Sequence, residues 1–135
     1  MTLQVENVTG GYTQLPVLKN IDFSIADGEL VGLIGLNGAG KSTTIKEIIG
    51  LLQPHTGKIT INGLSLKEDP QAYRKQIGYI PETPSLYEEL TLKEHIEVTA
   101  MAYDIPKDVA LQRAERLLKT FRLENKLDWF PANFS

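Results

Sequence analysis

The chain has 135 residues, about one domain's length. Its composition, 41% hydrophobic and 23% charged, is ordinary for a globular protein. The absence of cysteine excludes disulfide bonds, thiolate catalysis and cysteine-bound zinc. The net charge is −3 with the two signs interspersed, so we expect no nucleic-acid partner. No run approaches the ~18–20 apolar residues that span a bilayer, and the first residues lack the features of a signal peptide, so we expect a cytoplasmic protein.

Three predicted strands precede a glycine-rich loop. The first covers residues 3–8 and ends at a pair of glycines, and in the second, residues 21–25, apolar and polar side chains alternate. Residues 30–34 are apolar on both faces, the pattern of a strand buried on both sides. After the loop, apolar residues at helical spacing between positions 45 and 52 predict a helix that ends near Gly50 and Pro54.

The chain continues with shorter elements and then becomes helical. Residues 58–63 predict an alternating strand with a turn, residues 70–76 a short helix, and residues 78–80 a short buried strand. Thr91 and Glu94 have the spacing of a capping box, in which each side chain satisfies the other's backbone N–H.

Two helices are predicted beyond this cap. Apolar residues from Leu92 to Tyr103 form one helical stripe, Pro106 interrupts it, and residues from Ala110 to Phe121 form a second stripe. The sequence therefore predicts a mixed α/β part followed by a helical part.

The loop carries the clearest chemical signal, the run Gly35-Leu36-Asn37-Gly38-Ala39-Gly40-Lys41-Ser42. Its glycines let successive backbone N–H groups converge on phosphate oxygens. The helix that follows adds free N–H groups and about half a positive charge at its N-terminus. With a predicted strand before it and a helix after it, the run predicts a site for a nucleoside triphosphate and Mg²⁺.

The side chains at the helix start have distinct expected roles. Lys41 supplies a full charge to the terminal phosphates and is the catalytic residue that we predict, Ser42 offers its hydroxyl to Mg²⁺, and Thr43 offers another hydroxyl to a phosphate. The glycine spacing does not fit the G-x-G-x-x-G pattern of dinucleotide-binding proteins, which excludes that class.

The neighbouring motifs narrow the class of phosphate-loop protein. The run Gly11-Tyr12-Thr13 and residues 16–21 precede the loop, and residues 57–63 and 77–82 follow it. In order and spacing this set resembles the ATP-binding cassette (ABC) family, the motor subunits of membrane transporters, over essentially the whole chain. The resemblance implies an α/β P-loop NTPase (RecA-like) core with an N-terminal antiparallel β part and the start of a helical subdomain. It places the core at residues 1–90 and the helical subdomain at residues 91–135.

The resemblance also assigns residue roles. Tyr12 matches the aromatic residue that stacks on adenine in ATP, although a tyrosine in a surface turn is the plain alternative. Glu82 stands where the family usually has a glutamine that reaches Mg²⁺ or the attacking water and abuts the membrane subunits. A glutamate oxygen still suits Mg²⁺, and some exporter-like branches carry this residue. A plain loop acid is the alternative for Glu82.

Partners and activity follow from the same resemblance. In the intact protein, two ATP-binding subunits would sandwich two ATP molecules, and hydrolysis would drive membrane-spanning subunits that hold the protein at the inner face of the cell membrane. The family's signature motif would begin about where Phe134 and Ser135 stand, and its catalytic glutamate lies beyond. We therefore expect the front half of a cassette, which by itself binds Mg-ATP without hydrolysis.

Other interpretations stay open at this point. The protein could be a soluble cassette ATPase that acts on ribosomes or in chromosome maintenance. The chromosome type has a long coiled coil inserted before the signature motif, and the sequence shows none. It could be a nucleotide-dependent small-molecule kinase, for which we find no acceptor site or lid. It could also be a binding fragment without activity. The transported substrate is not determined by these residues, and Glu82 favours export.

Overall fold

The computed structural model of the protein describes residues 2–134, apart from the side chain of Asn133. The chain divides into two compact units, one that ends at Tyr79 and one that begins at Ile80. This division leaves untested the predicted boundary between residues 90 and 91, which stays a prediction. No helix within the described residues is long and apolar enough to cross a bilayer.

The first unit contains a four-stranded antiparallel sheet. Its strands are β1 (Leu3–Gly10), β2 (Leu18–Ile25), β3 (Thr56–Ile61) and β4 (Leu64–Ser65), in the order β2-β1-β3-β4. In the central strand β1, Val5 lies opposite Phe23 of β2 on one side and Ile59 of β3 on the other. The predicted strands at the start of the chain and after residue 56 are therefore confirmed.

One face of this sheet forms the core. The buried residues that contact one another are Leu3, Val5, Val8, Ile59, Ile61 and Tyr73. Leu3 and Val5 share a face by strict alternation, whereas Val8 has the opposite parity. A register shift between Val5 and Val8, with Asn7 at a φ of 49°, turns Val8 to the same face.

Two helices belong to the first unit. Helix α1 (Lys41–Ile48) follows the glycine loop, and α2 (Pro70–Arg74) starts at Asp69, whose side chain accepts a hydrogen bond from Ala72 N at 2.9 Å. The Tyr73 hydroxyl donates to Ile48 O at 2.5 Å, which joins α2 to the end of α1. Both helices lie where the sequence predicts them.

The second unit is helical. It contains α3 (Leu92–Ala102), α4 (Lys107–Phe121) and two short 3₁₀ helices, Glu124–Lys126 and Pro131–Asn133. The predicted capping box is present, because Glu94 N donates to Thr91 Oγ1 at 3.3 Å and Thr91 N donates to Glu94 Oε2 at 2.7 Å. Pro106 stands at the N-cap of α4, so the predicted break between two helices is confirmed.

Two predicted strands are wrong. Residues 30–34 form no strand, and the exposed fractions of Leu30 and Ile34 are 99% and 94%. Residues 78–80 form no strand either, and 91% of Ile80 is exposed. A strand buried on both faces needs hydrogen-bonding neighbours, and no other segment among residues 2–134 pairs with either of these. Their apolar composition is therefore not sufficient to make them strands.

Candidate phosphate-binding site

The glycine loop connects the sheet to α1 and is open to solvent. Residues 31–39 are exposed, and Ala39 N donates to Leu36 O at 3.1 Å to close a turn around Asn37 and Gly38. Gly38 has a φ of 82°, a conformation that residues with a Cβ atom rarely adopt. The loop from Gly35 to Ala39 is thus open to solvent, as expected for a phosphate site, while Gly40 at its end is buried.

The N-terminus of α1 has no capping side chain. Gly40 is the N-cap residue with a φ of 91°, and the first turn of the helix contains no acidic residue. Gly40 is also fixed by hydrogen bonds from the helix itself, because its carbonyl accepts hydrogen bonds from Thr44 N at 2.8 Å and from Thr44 Oγ1 at 3.0 Å. The uncapped N–H groups and the helix dipole therefore favour an anion at this end of α1.

The Lys41 side chain folds back over the loop. Its Nζ donates to Gly35 O at 2.6 Å and to Leu36 O at 2.8 Å. No carboxylate among the described residues pairs with this ammonium group. Its charge is therefore directed into the loop and is available to a phosphate.

Ser42 and Thr43 differ in exposure, although both lie in the first turn of α1. Ser42 is exposed, which suits a hydroxyl expected to ligate Mg²⁺, and only 4% of Thr43 is exposed. The residues present thus fit a Mg-triphosphate, since a phosphate loop holds the cation with one hydroxyl and the phosphate oxygens. The predicted contact between Thr43 and a phosphate stays a prediction.

Tyr12 lies beside α1 in the same unit. The Lys46 Nζ is 5.1 Å from the centroid of the Tyr12 ring, and 57% of the Tyr12 side chain remains exposed. Hydrogen bonding to Lys46 holds the pKa of the Tyr12 phenol below its usual value, burial opposes this shift, and Thr43 adds to the lowering. Tyr12 therefore lies beside α1, the helix that follows the phosphate loop.

Lys46 is a neighbour of this site that sequence reasoning missed. Thr43 and Lys46 are three residues apart and so lie on the same face of α1. Since Tyr12 and Thr43 were both predicted to bind ATP, the three-residue spacing from Thr43 to Lys46 is the signal that could have identified Lys46 as a neighbour of the site.

Glu82 belongs to the second unit. It lies in an exposed segment without regular secondary structure. No group of three or more acidic or histidine side chains suited to a metal occurs among residues 2–134. The predicted role of Glu82 in contacting Mg²⁺ stays a prediction.

The chain is similar in sequence to known ATP-binding proteins. A family model described as ABC transporter matches residues 18–135. The ABC-type transporter ATP-binding protein EcsA of Bacillus subtilis is 60% identical over 133 residues, which are 98% of this chain and 54% of EcsA. SkfE, the SkfA peptide export ATP-binding protein of the same organism, is 40% identical over 124 residues, which are 92% of this chain and 51% of SkfE.

The solved structures agree with these relatives. An ATP-binding subunit of an ABC transporter superposes on the whole chain with a TM-score of 0.93 and 54% identity, and the match covers 56% of that subunit. The α/β P-loop NTPase fold predicted from the sequence is thereby confirmed. The chain spans about half the length of the curated relatives that it matches. With a family match over most of its length and a glycine loop at the start of α1, the chain belongs to the ABC transporter family.

Proposed function

We propose that the protein is the ATP-binding subunit of a membrane transporter and that it binds Mg-ATP through Gly35 to Thr43. The observation that carries this proposal is the uncapped N-terminus of α1, with the Lys41 ammonium group folded over the loop before it. The ATP-binding relatives support the same function. Their names are those of transporter subunits, which does not favour the soluble ATPase or the small-molecule kinase.

Phosphate binding would use groups that already converge. The Lys41 ammonium group would exchange a bond to the carbonyl of Gly35 or Leu36 for a bond to a phosphate oxygen. The ammonium group would then face an anionic oxygen in place of a neutral carbonyl, and the added attraction between opposite charges favours this exchange. The exposed Ser42 hydroxyl would hold Mg²⁺, which neutralises phosphate charge when bound, and the Tyr12 ring would stack on adenine.

The wider assembly follows from the family. The intact protein would pair with a second ATP-binding subunit and with membrane-spanning subunits at the inner face of the cell membrane, and ATP hydrolysis would drive transport. Glu82 would contribute a contact to Mg²⁺ or to the attacking water. SkfE is named for peptide export, which together with Glu82 supports export as the direction.

The test of phosphate binding compares two ligands. Lys41→Ala should weaken ATP binding by about 1.5–3 kcal/mol, because that charge meets only the phosphates. Adenosine binding should be nearly unchanged. Isothermal titration calorimetry with ATP and with adenosine measures both.

Lys19→Ala is the matched control. Lys19 is exposed on β2, next to the buried Leu18, and its side chain points to the opposite face of the sheet. This substitution removes the same charge and should leave both affinities unchanged. Equal losses for ATP and adenosine in Lys41→Ala would refute the phosphate-binding role.

A further inference from the structure

The contacts of Lys46 point to a role in nucleotide binding that rests on the proposed function. Helix α1 begins with Lys41 and Ser42, which we place on the phosphates, and carries Lys46 about 7.5 Å further along its axis. Lys46 is exposed and forms no ion pair with a carboxylate among the described residues. Its ammonium group is instead directed to the Tyr12 ring, 5.1 Å from the ring centroid.

We propose that Lys46 is a positioning residue that holds the Tyr12 ring against α1 and presents the free side of the ring to the base of the nucleotide. One rigid helix then sets both the phosphate site, at its first turn, and the base site, at its second turn. The distance between the two sites is thereby matched to one ligand, a nucleoside triphosphate.

Two features of the Tyr12 environment support this role. The segment that carries Tyr12 has no regular secondary structure, and 57% of the side chain is exposed, so its backbone alone does not fix the ring. Two groups of α1 act on Tyr12: the Lys46 ammonium group beside the ring, and the hydroxyl of the buried Thr43, which hydrogen-bonds with the phenol. At 5.1 Å from the ring centroid, the ammonium group stands close to the phenol and holds the pKa of Tyr12 below its usual value.

The physical gain is preorganisation. A ring that is already held in place loses less conformational entropy when the base stacks on it. A cation near an exposed aromatic ring also contributes a modest attraction, which limits the expected effect to a few-fold change in affinity.

The experiment uses ATP and inorganic triphosphate as probes in calorimetric titrations of the full chain. Lys46→Met keeps the hydrocarbon stem and removes the charge. It should weaken ATP binding about two- to fivefold and leave triphosphate binding unchanged. Lys46→Arg should restore ATP affinity, since arginine also stacks on aromatic rings, and Lys19→Met is the matched surface control.

A variant without the Tyr12 ring tests whether Lys46 acts on ATP binding through this ring. In a Tyr12→Ala chain, Lys46→Met should have no further effect on ATP binding, because the ring through which it acts is absent. An NMR titration gives a readout that needs no nucleotide: the pKa of the Tyr12 phenol should rise in Lys46→Met.

Three results would overturn the proposal. They are an equal loss of ATP and triphosphate affinity in Lys46→Met, an undiminished loss in the Tyr12→Ala background, and an unchanged ATP affinity. The Lys41→Ala test is separate, because a loss of ATP binding there with no effect of Lys46→Met would leave the proposed function standing and remove only this role.

Discussion

Two glycines of the phosphate loop show how differently a single residue can be constrained. Gly38 and Gly40 have φ angles of 82° and 91°. A Cβ atom added at Gly38 would meet nothing within 4 Å, whereas one at Gly40 would lie 2.6 Å from Leu18 Cδ2. Backbone strain therefore acts at both positions, but side-chain overlap acts only at Gly40.

Substitution by alanine should separate these two effects. Gly38→Ala should cost about 1–2 kcal/mol of unfolding free energy from the left-handed backbone alone. Gly40→Ala should cost about 1–3 kcal/mol more, because the buried Leu18 has little room to move. Urea denaturation measures both. In a Leu18→Ala background the extra cost at Gly40 should disappear, and its persistence would contradict this explanation.

Tyr12 allows a second test at the residue scale. Tyr12→Ala should weaken ATP binding by about 1 kcal/mol or more, if stacking on single-stranded bases is the guide. Tyr12→Phe keeps the ring and loses only the hydroxyl contacts with α1, so it should lose less than Tyr12→Ala. GTP should still bind, since stacking tolerates any base. An unchanged ATP affinity in Tyr12→Ala would exclude a role in base binding.

At the scale of elements, α1 contains an unusual buried acid. Only 3% of Glu47 is exposed, and neither carboxylate oxygen has a hydrogen-bond partner among the described residues. Its carboxylate lies over Gly10, where any Cβ atom would overlap Glu47 Oε1. Burial raises the pKa of Glu47, and His55 opposes the rise. The position of Glu47 in the last turn, at the negative end of the helix dipole, acts in the same direction as burial.

The raised pKa has a direct consequence for stability. The folded state binds the Glu47 proton more tightly than the unfolded state does. The contribution of Glu47 to the free energy of unfolding is therefore fully present below the unfolded pKa of this group, and it is lost as the pH rises through the folded pKa. Glu47→Leu should therefore raise the unfolding free energy by about 1–3 kcal/mol at neutral pH. The gain should shrink as the pH falls to about 3, below the unfolded pKa, where the carboxylate is protonated in both states.

Denaturation of the wild type and Glu47→Leu at several pH values measures this difference. Glu68→Leu is a control of opposite sign, because Ser65 Oγ donates to Glu68 at 2.7 Å and Lys58 pairs with it at 3.6 Å, and these contacts hold the pKa of the exposed Glu68 below its usual value. Glu68→Leu should therefore lower stability more at neutral than at acidic pH. A stability gain in Glu47→Leu that is equal at all pH values would show that packing, not charge burial, is responsible.

At the scale of the whole molecule, nucleotide binding and hydrolysis make different demands. Hydrolysis requires a base or water-positioning group in addition to phosphate and Mg²⁺ contacts. The loop supplies Lys41 and Ser42, while the one acid of α1, Glu47, is buried over Gly10. The first turn of α1 carries no acid that could serve as a general base, and the loss of general-base catalysis costs about 10²- to 10⁴-fold in rate. We therefore expect these 135 residues to bind Mg-ATP without phosphate release above background, even if Glu82 contacts Mg²⁺ or the attacking water.

An assay of phosphate release at saturating ATP measures ATP hydrolysis, with Lys41→Ala as the reference for the background rate. Turnover at an ordinary enzymatic rate that disappears in Lys41→Ala would show that the 135 residues contain a complete catalytic set.

Local patterns were sufficient for most elements and for the phosphate loop. Helices α1, α3 and α4 follow from 3.6-residue periodicity, and the Thr91–Glu94 cap from a spacing of three residues. Strands β1 to β3 follow from alternation. These elements depend on residues close together in the chain, so the sequence by itself determined them. The P-loop NTPase fold was predicted from the resemblance of the whole set of motifs to the ABC family.

Other features depended on residues far apart in the chain. The apolar run at residues 30–34 is not a strand, because a strand takes its hydrogen bonds from other segments and none within residues 2–134 pairs with it. The contact between Tyr12 and Lys46 and the burial of Glu47 over Gly10 arise where β1 and the turn after it meet α1. Periodicity shows which side of an element is apolar but not which element it meets, so only the tertiary structure decided these contacts.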